Sequence, residues 1–260
     1  MTASITARQG FVGRLFESMK NNDKGRCVVL FLNKKKLFQL DRRLQTCASM
    51  VRENHVLADI GTDHAYLPIW LVKKEVIKKA IASDINIGPL QKAAFNIRRK
   101  QVDARLSDGL ELIFPNEADD IVIAGMGGEL IADIIEKAPW LKDEEKHLIL
   151  QPMTSAPELR TYLSEHGFAV KQEQAVQDGD HIYTVMQAEY DPEHVQTGQV
   201  FPYIGILKAD SDENKAYIQQ QCSRLQKRIN GLRQSGKQEA LANQTEQILE
   251  QLQQVLSQAE

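Results

Sequence analysis

The chain has 260 residues, 42% hydrophobic and 26% charged, with a formal net charge of −3. That supplies one full α/β core and a small appended element, and no apolar run nears the eighteen or so residues a membrane span needs, so a soluble protein with no membrane role is expected. Cys27, Cys47 and Cys222 are too far apart for a zinc site or a disulfide framework, which points to a reducing, cytoplasmic setting and to no metal.

Residues 1–36 are assigned no function and read as an N-terminal extension, with a turn around Asn21–Gly25. Leu40, Leu44, Ala48 and Val51 then recur at helical spacing behind Asp41, a residue suited to capping, and Arg42 and Arg43 fall on the polar face. Val56–Ile60 is a compact apolar run ending in Gly61, the pattern of a buried parallel strand. Pro68 fits the first turn of the following helix, whose apolar stripe is Ile69, Leu71, Val72, Val76 and Ile77.

The alternation continues with a strand at Ala80–Ser83, a helix around Pro89–Lys100, strands at Ala104–Leu106 and Asp120–Ala124, and a helix at Glu129–Lys137. A strand at His147–Leu150 and a helix at Ala156–His166 follow, then an antiparallel pair, Phe168–Gln174 with His181–Glu189, around Asp178-Gly179. Residues 37–190 therefore predict an α/β, Rossmann-like doubly wound sheet closed by a terminal antiparallel hairpin. After a linker at 191–209, Tyr217, Gln221, Leu225 and Ile229 mark one helix face, and Leu241, Thr245, Ile248, Leu252 and Val255 another. Residues 210–260 predict a coiled-coil-like C-terminal helical hairpin.

Charge is unevenly spread along this plan. Lys34 to Lys100 carries 14 Lys/Arg against 6 Asp/Glu, and Gln101 to Ala209 carries 7 against 20. A polyanion has a docking face in the first half, although solvated helix faces would give the same count. Phosphate-contact candidates are Lys34–Lys36, Arg42, Arg43, Lys73, Lys74, Lys78, Lys79, Arg98, Arg99 and Lys100.

The chemistry concentrates at strand ends, where open α/β sheets bind nucleotides. The segment Ala58-Asp59-Ile60-Gly61-Thr62-Asp63-His64-Ala65-Tyr66-Leu67-Pro68 joins the first strand to its helix, and Gly61 lets a ligand approach the backbone. Asp63 stands where a dinucleotide fold would place its second glycine. A carboxylate there repels a pyrophosphate but tolerates the cationic sulfonium and ammonium of S-adenosylmethionine. Asp84, about twenty residues on, is placed for two ribose hydroxyls. Asp108 is placed for an adenine amine, with Leu110 against the ring. The glycine run of Ile121–Gly128 faces the transferable methyl and leaves room for a flat base, and the Gln151 amide, followed by Pro152, could read a base edge. Taken singly, each acid also reads as a cap or turn residue.

These stretches, above all Ala58–Pro68 and Ile123–Gly128, with Leu44–Val51, Asp108–Glu111, Leu148–Pro152 and Arg160–Leu163, resemble the bacterial tRNA adenine-22 N1-methyltransferase family, TrmK. The resemblance spans roughly residues 40 to 190 and implies a methyltransferase domain, S-adenosylmethionine as donor, and N1 of adenosine 22 in tRNA as acceptor. It implies Asp63 as the main catalytic candidate. The cofactor candidates are Asp59, Gly61, Asp63, Asp84, Ile85, Asp108, Gly109, Ala124 and Gly125. The substrate candidates are Arg43, His64, Tyr66, Met126, Gln151, Pro152, Arg98, Arg99 and Lys100. A monomer with tRNA as partner is expected. Two other readings stay open: a methyltransferase acting on another RNA or a small molecule, and a non-catalytic nucleotide- or RNA-binding module.

Overall fold

The computed structural model describes residues 39–62, 64–88, 101–235 and 238–258. The expected N-terminal extension, the helix around Pro89–Lys100, and Asp63 itself lie outside the described residues. Helix α1 (Arg42–Ser49) opens as its sequence predicts: Asp41 caps it, Oδ1 accepting from the Leu44 N–H at 2.7 Å. Strand β1 (Val56–Ile60), helix α2 (Tyr66–Lys73), β2 (Lys79–Asp84), β3 (Val102–Leu106), β4 (Asp120–Gly127) and helix α3 (Gly128–Glu136) follow. Then come β5 (His147–Thr154), helix α4 (Ala156–Glu165), and the long hairpin β6 (Phe168–Asp178) and β7 (His181–Tyr190).

The seven strands form one sheet in the order β3-β2-β1-β4-β5-β7-β6. The first five are parallel, and β7 inserts antiparallel between β5 and β6. The order reverses at β1, so the carboxyl ends of β1 and β4 flank the switch point where α/β sheets take ligands. β1 is buried from Leu57 to Ile60, with Ala58 and Ile60 packed to one face and Leu57 to the other, as the period of two requires. β4 and β5 outrun the predicted strands because Gly127 still pairs with Thr154 beyond a bulge near Gly125.

The connection after β7 is packed against the core. Gln196 exchanges hydrogen bonds with the Val170 backbone, and a short helix α5 (Phe201–Ile204) buries Phe201 and Ile204. Helices α6 (Asp212–Ser235) and α7 (Glu239–Ser257) then pair along Ile218, Leu225, Ile229, Ile248, Leu249 and Leu252. Where this pair meets the sheet, Arg160 and Glu173 form a fully buried ion pair at 2.7 Å. Arg160 also donates to the Pro202 and Tyr203 carbonyls and the Tyr217 hydroxyl, and Glu173 accepts from Thr184 and Ile206. Every polar group of the pair has partners, which is the condition under which a buried ion pair is tolerated.

Candidate active site

Beyond β1 the chain turns through Gly61 at φ 71°. A Cβ there would lie 2.0 Å from Met126 Cε, so the glycine-rich end of β4 closes directly over the turn, and glycine answers both the backbone conformation and the close approach. The Thr62 N–H donates to the Ser83 carbonyl at 2.8 Å, and the Ser107 N–H donates to the Asp84 carbonyl at 3.0 Å. These two bonds lash the tips of β1, β2 and β3 side by side. His64 and Ala65 also take positive φ, 63° and 54°. Strained backbone of this kind gathers at ligand sites. The His64 and Tyr66 rings stack at 5.1 Å, with Tyr66 exposed on the rim.

Asp59 lies buried beneath the turn, its Oδ2 accepting from the Thr62 hydroxyl at 2.5 Å. Burial pushes its carboxyl up to about 6, the Thr62 hydrogen bond pulling down and the nearby Asp84 charge adding to the rise. Asp84 spends one oxygen on the Asn86 N–H at 2.6 Å, and its other oxygen accepts nothing among the described residues. Beside it Ile85, an apolar side chain, is 58% exposed. Asp108 is exposed at the β3 tip, with Gly109 at φ 53° behind it. An acid with an open oxygen, an exposed apolar platform and a glycine turn fit the ribose, adenine ring and methionyl end of S-adenosylmethionine.

Across the switch point, Ala124 is half-buried and Gly125 is exposed, its N–H donating to Gln151 Oε1 at 3.1 Å. The same oxygen accepts from Arg43 Nη1 at 2.7 Å. Arg43 also donates to Asp178 Oδ2 at 2.9 Å and Asp41 Oδ2 at 3.0 Å, and lies over the Tyr183 ring at 5.9 Å. One guanidinium therefore joins α1, β5 and the β6–β7 turn at the mouth of the glycine loop.

Several residues take places the sequence did not suggest. Leu110, expected against an adenine ring, is core, packed with Ile113 and Ile134; Asp108 and Ile85 are exposed instead. Gln151 is fully buried with its amide committed to Arg43, Gly125 and the Pro152 carbonyl, so it sets the loop and has no free edge to offer a base. Pro152 is buried beside it. Lys73, Lys74, Lys78 and Lys79 are exposed at the opposite, amino-terminal end of the strands, because α2 runs back against them and Lys79 pairs with Val56 at the start of β1. Arg42 is tied to Glu213 at 2.7 Å. Arg98, Arg99 and Lys100 fall outside the described residues. Among the described residues no three His, Cys, Asp or Glu side chains gather as a metal site would, and no helix is long and apolar enough to cross a membrane.

The sequence and the fold are similar to those of known proteins. A family model described as a methyltransferase domain matches residues 40–186. The tRNA (adenine(22)-N(1))-methyltransferase of Bacillus subtilis strain 168 is 39% identical over 155 residues, 58% of this chain and 65% of that protein. The crystal structure of B. subtilis TrmK superposes with a TM-score of 0.70 at 31% identity, covering 86% of this chain and 99% of that one. The chain belongs to the methyltransferase-domain family, within its TrmK group. A Streptococcus pneumoniae protein described as a candidate tRNA (m1A22) methyltransferase, solved with S-adenosyl-L-methionine, gives a TM-score of 0.70 at 29% identity, covering 82% of this chain and 98% of that one. In sequence, the match spans just under two thirds of the B. subtilis relative's length.

Proposed function

We propose that the chain transfers a methyl group from S-adenosylmethionine to N1 of adenosine 22 in tRNA, acting as a monomer in the cytoplasm. The observation that carries this reading is the juxtaposition at the switch point. The lashed tips of β1, β2 and β3 present Gly61, Asp84, Ile85 and Asp108 on one side, and the glycine loop of β4, held by Arg43 and Gln151, stands on the other. Membership of the TrmK group and the acceptor named for the B. subtilis relative support this choice of substrate.

S-adenosylmethionine supplies an electrophilic methyl, and the transfer is an in-line displacement, so the protein's work is mainly alignment. Asp84 would hold ribose hydroxyls with its open oxygen, Ile85 would support the adenine ring, and Asp108 would accept from the adenine amine. Gly125 leaves space for the acceptor base, which must leave its stack to arrive there. Asp63 is assigned to the N6 amine of that base: by accepting a hydrogen bond or proton it offsets the positive charge that develops as N1 is methylated. The free thiols Cys47 and Cys222 agree with a reducing compartment. The mutual burial of α6 and α7 leaves that pair no need of a second copy; light scattering on the purified chain tests this.

The deciding experiment incubates purified chain with labelled S-adenosylmethionine and tRNA, then maps the modified nucleotide. Label at N1 of adenosine 22 is expected. Absence of label, or equal labelling of a transcript in which that adenosine is replaced, overturns the reading.

A further inference from the structure

On the side of the crevice away from the cofactor cradle, a shallow, open groove runs between the end of β5, strand β7 and helix α6. It is continuous with the transfer site, since its wall residues Pro152 and Thr154 pair directly with Met126 and Gly127 of the glycine loop. Three features of its lining suit a ligand, although the Met153 sulfur already accepts from Arg43 and Gln151 at 3.7 and 3.6 Å. Met153 exposes 38% of an apolar side chain, beside the half-buried ring of Tyr183. The Oε1 of Gln220 is sealed from solvent yet accepts no hydrogen bond among the described residues, and an orphaned buried acceptor of this kind calls for a partner. Arg224, one helical turn beyond Gln220 on the same face of α6, is exposed and makes no ion pair among the described residues.

We infer that this groove is a second nucleotide subsite, holding the residue adjacent to the methylated adenosine in the RNA chain. The inference rests on the tRNA reading above and extends it. The base lies against Met153 and Tyr183, the Gln220 side chain turns to bring Oε1 out to a ring or amine N–H, and the phosphate meets the Arg224 guanidinium. An apolar wall, a buried acceptor and an unpaired cation in that order match the face, edge and phosphate of one unstacked nucleotide. A nucleotide bound here would hold its neighbour turned out toward Gly125, so the groove serves substrate positioning and sequence preference.

The test uses the full chain, a tRNA transcript and labelled S-adenosylmethionine, with kcat and KM for tRNA measured over a series of salt concentrations and cofactor affinity measured by calorimetry. Arg224→Gln is expected to raise KM for tRNA about tenfold with kcat and cofactor affinity unchanged, the scale of one lost charge-assisted contact. It should also reduce the slope of log KM against log salt by about one, which a merely structural role would not do. Gln220→Leu is expected to raise KM and to flatten the preference among transcripts altered on either side of the target adenosine. Should it melt early, the exposed Arg224 decides alone. An active wild type whose variants keep its KM and salt slope overturns the groove alone, as does a variant effect confined to kcat. A wild type that labels no tRNA overturns the reading beneath it as well.

Discussion

Asp59 and Asp63 lie four residues apart, and the sequence alone gives both to the cofactor. The structure separates Asp59 from solvent and binds it to Thr62, so its charge acts on stability. With the folded carboxyl near 6 against an ordinary 3.8, its contribution is fully present below pH 3.8 and is lost as pH rises through 6. Each unit is worth about 1.4 kcal/mol, so the loss is ~3 kcal/mol. In urea unfolding of the ligand-free chain, wild type should therefore lose about that much stability relative to Asp59→Asn between pH 4 and 7; parallel pH curves would contradict it. For Asp63→Asn, kcat should drop about 100-fold, the lower range for a proton-accepting group, while calorimetric affinity for S-adenosylmethionine stays near wild type. Lost affinity would assign Asp63 to the cofactor instead. Residue types and strand-end positions made these acids visible in the sequence. The Arg43–Gln151 and Arg160–Glu173 contacts were not, because their partners lie 108 and 13 residues apart and no local pattern links them. Leu110 misled because an apolar residue after a strand reads the same whether it faces the core or a ligand.

Among the elements, the parallel strands and their helices were legible from the alternation of apolar runs with helical stripes, and the C-terminal pair from its heptad-like spacing. The ends of β4 and β5 were not, since Gly125, Gly127 and Pro152 read as loop formers and their pairing depends on a neighbouring strand. The connection to α6 was equally silent. Its four-residue helix earns its place by offering the Pro202 and Tyr203 carbonyls to Arg160. Glu173→Ala would leave that guanidinium buried without a counter-charge and should destabilise the fold by about 3–5 kcal/mol, read as a fall in melting temperature of roughly 10 °C. Glu173→Gln, which keeps an acceptor, should cost less. Equal melting temperatures for wild type and Glu173→Ala would mean the pair is not a fastening.

For the molecule as a whole, α6 and α7 form a wall of the catalytic unit as well as an appendage to it. Asn214 accepts from the Ala175 N–H within β6, Tyr217 covers Arg160, and Glu213 reaches Arg42 on α1. A chain ended after Ala209 should thus melt about 10 °C or more below the full chain, since a buried backbone donor and a buried guanidinium both lose acceptors. Undiminished melting with loss of RNA binding alone would show the two parts to be independent. Arg43 carries a temporal consequence of the same kind. Its acceptors are Asp41, Gln151 and Asp178, so a nascent polypeptide holds the first from the start, gains the second with β5, and meets the third only when the hairpin turn has left the ribosome. Contacts so distant in sequence close late. The floor beneath the glycine loop is therefore among the last parts of the catalytic unit to set, and a ribosome-bound fragment stopped before residue 178 would have its five parallel strands in place and no working mouth.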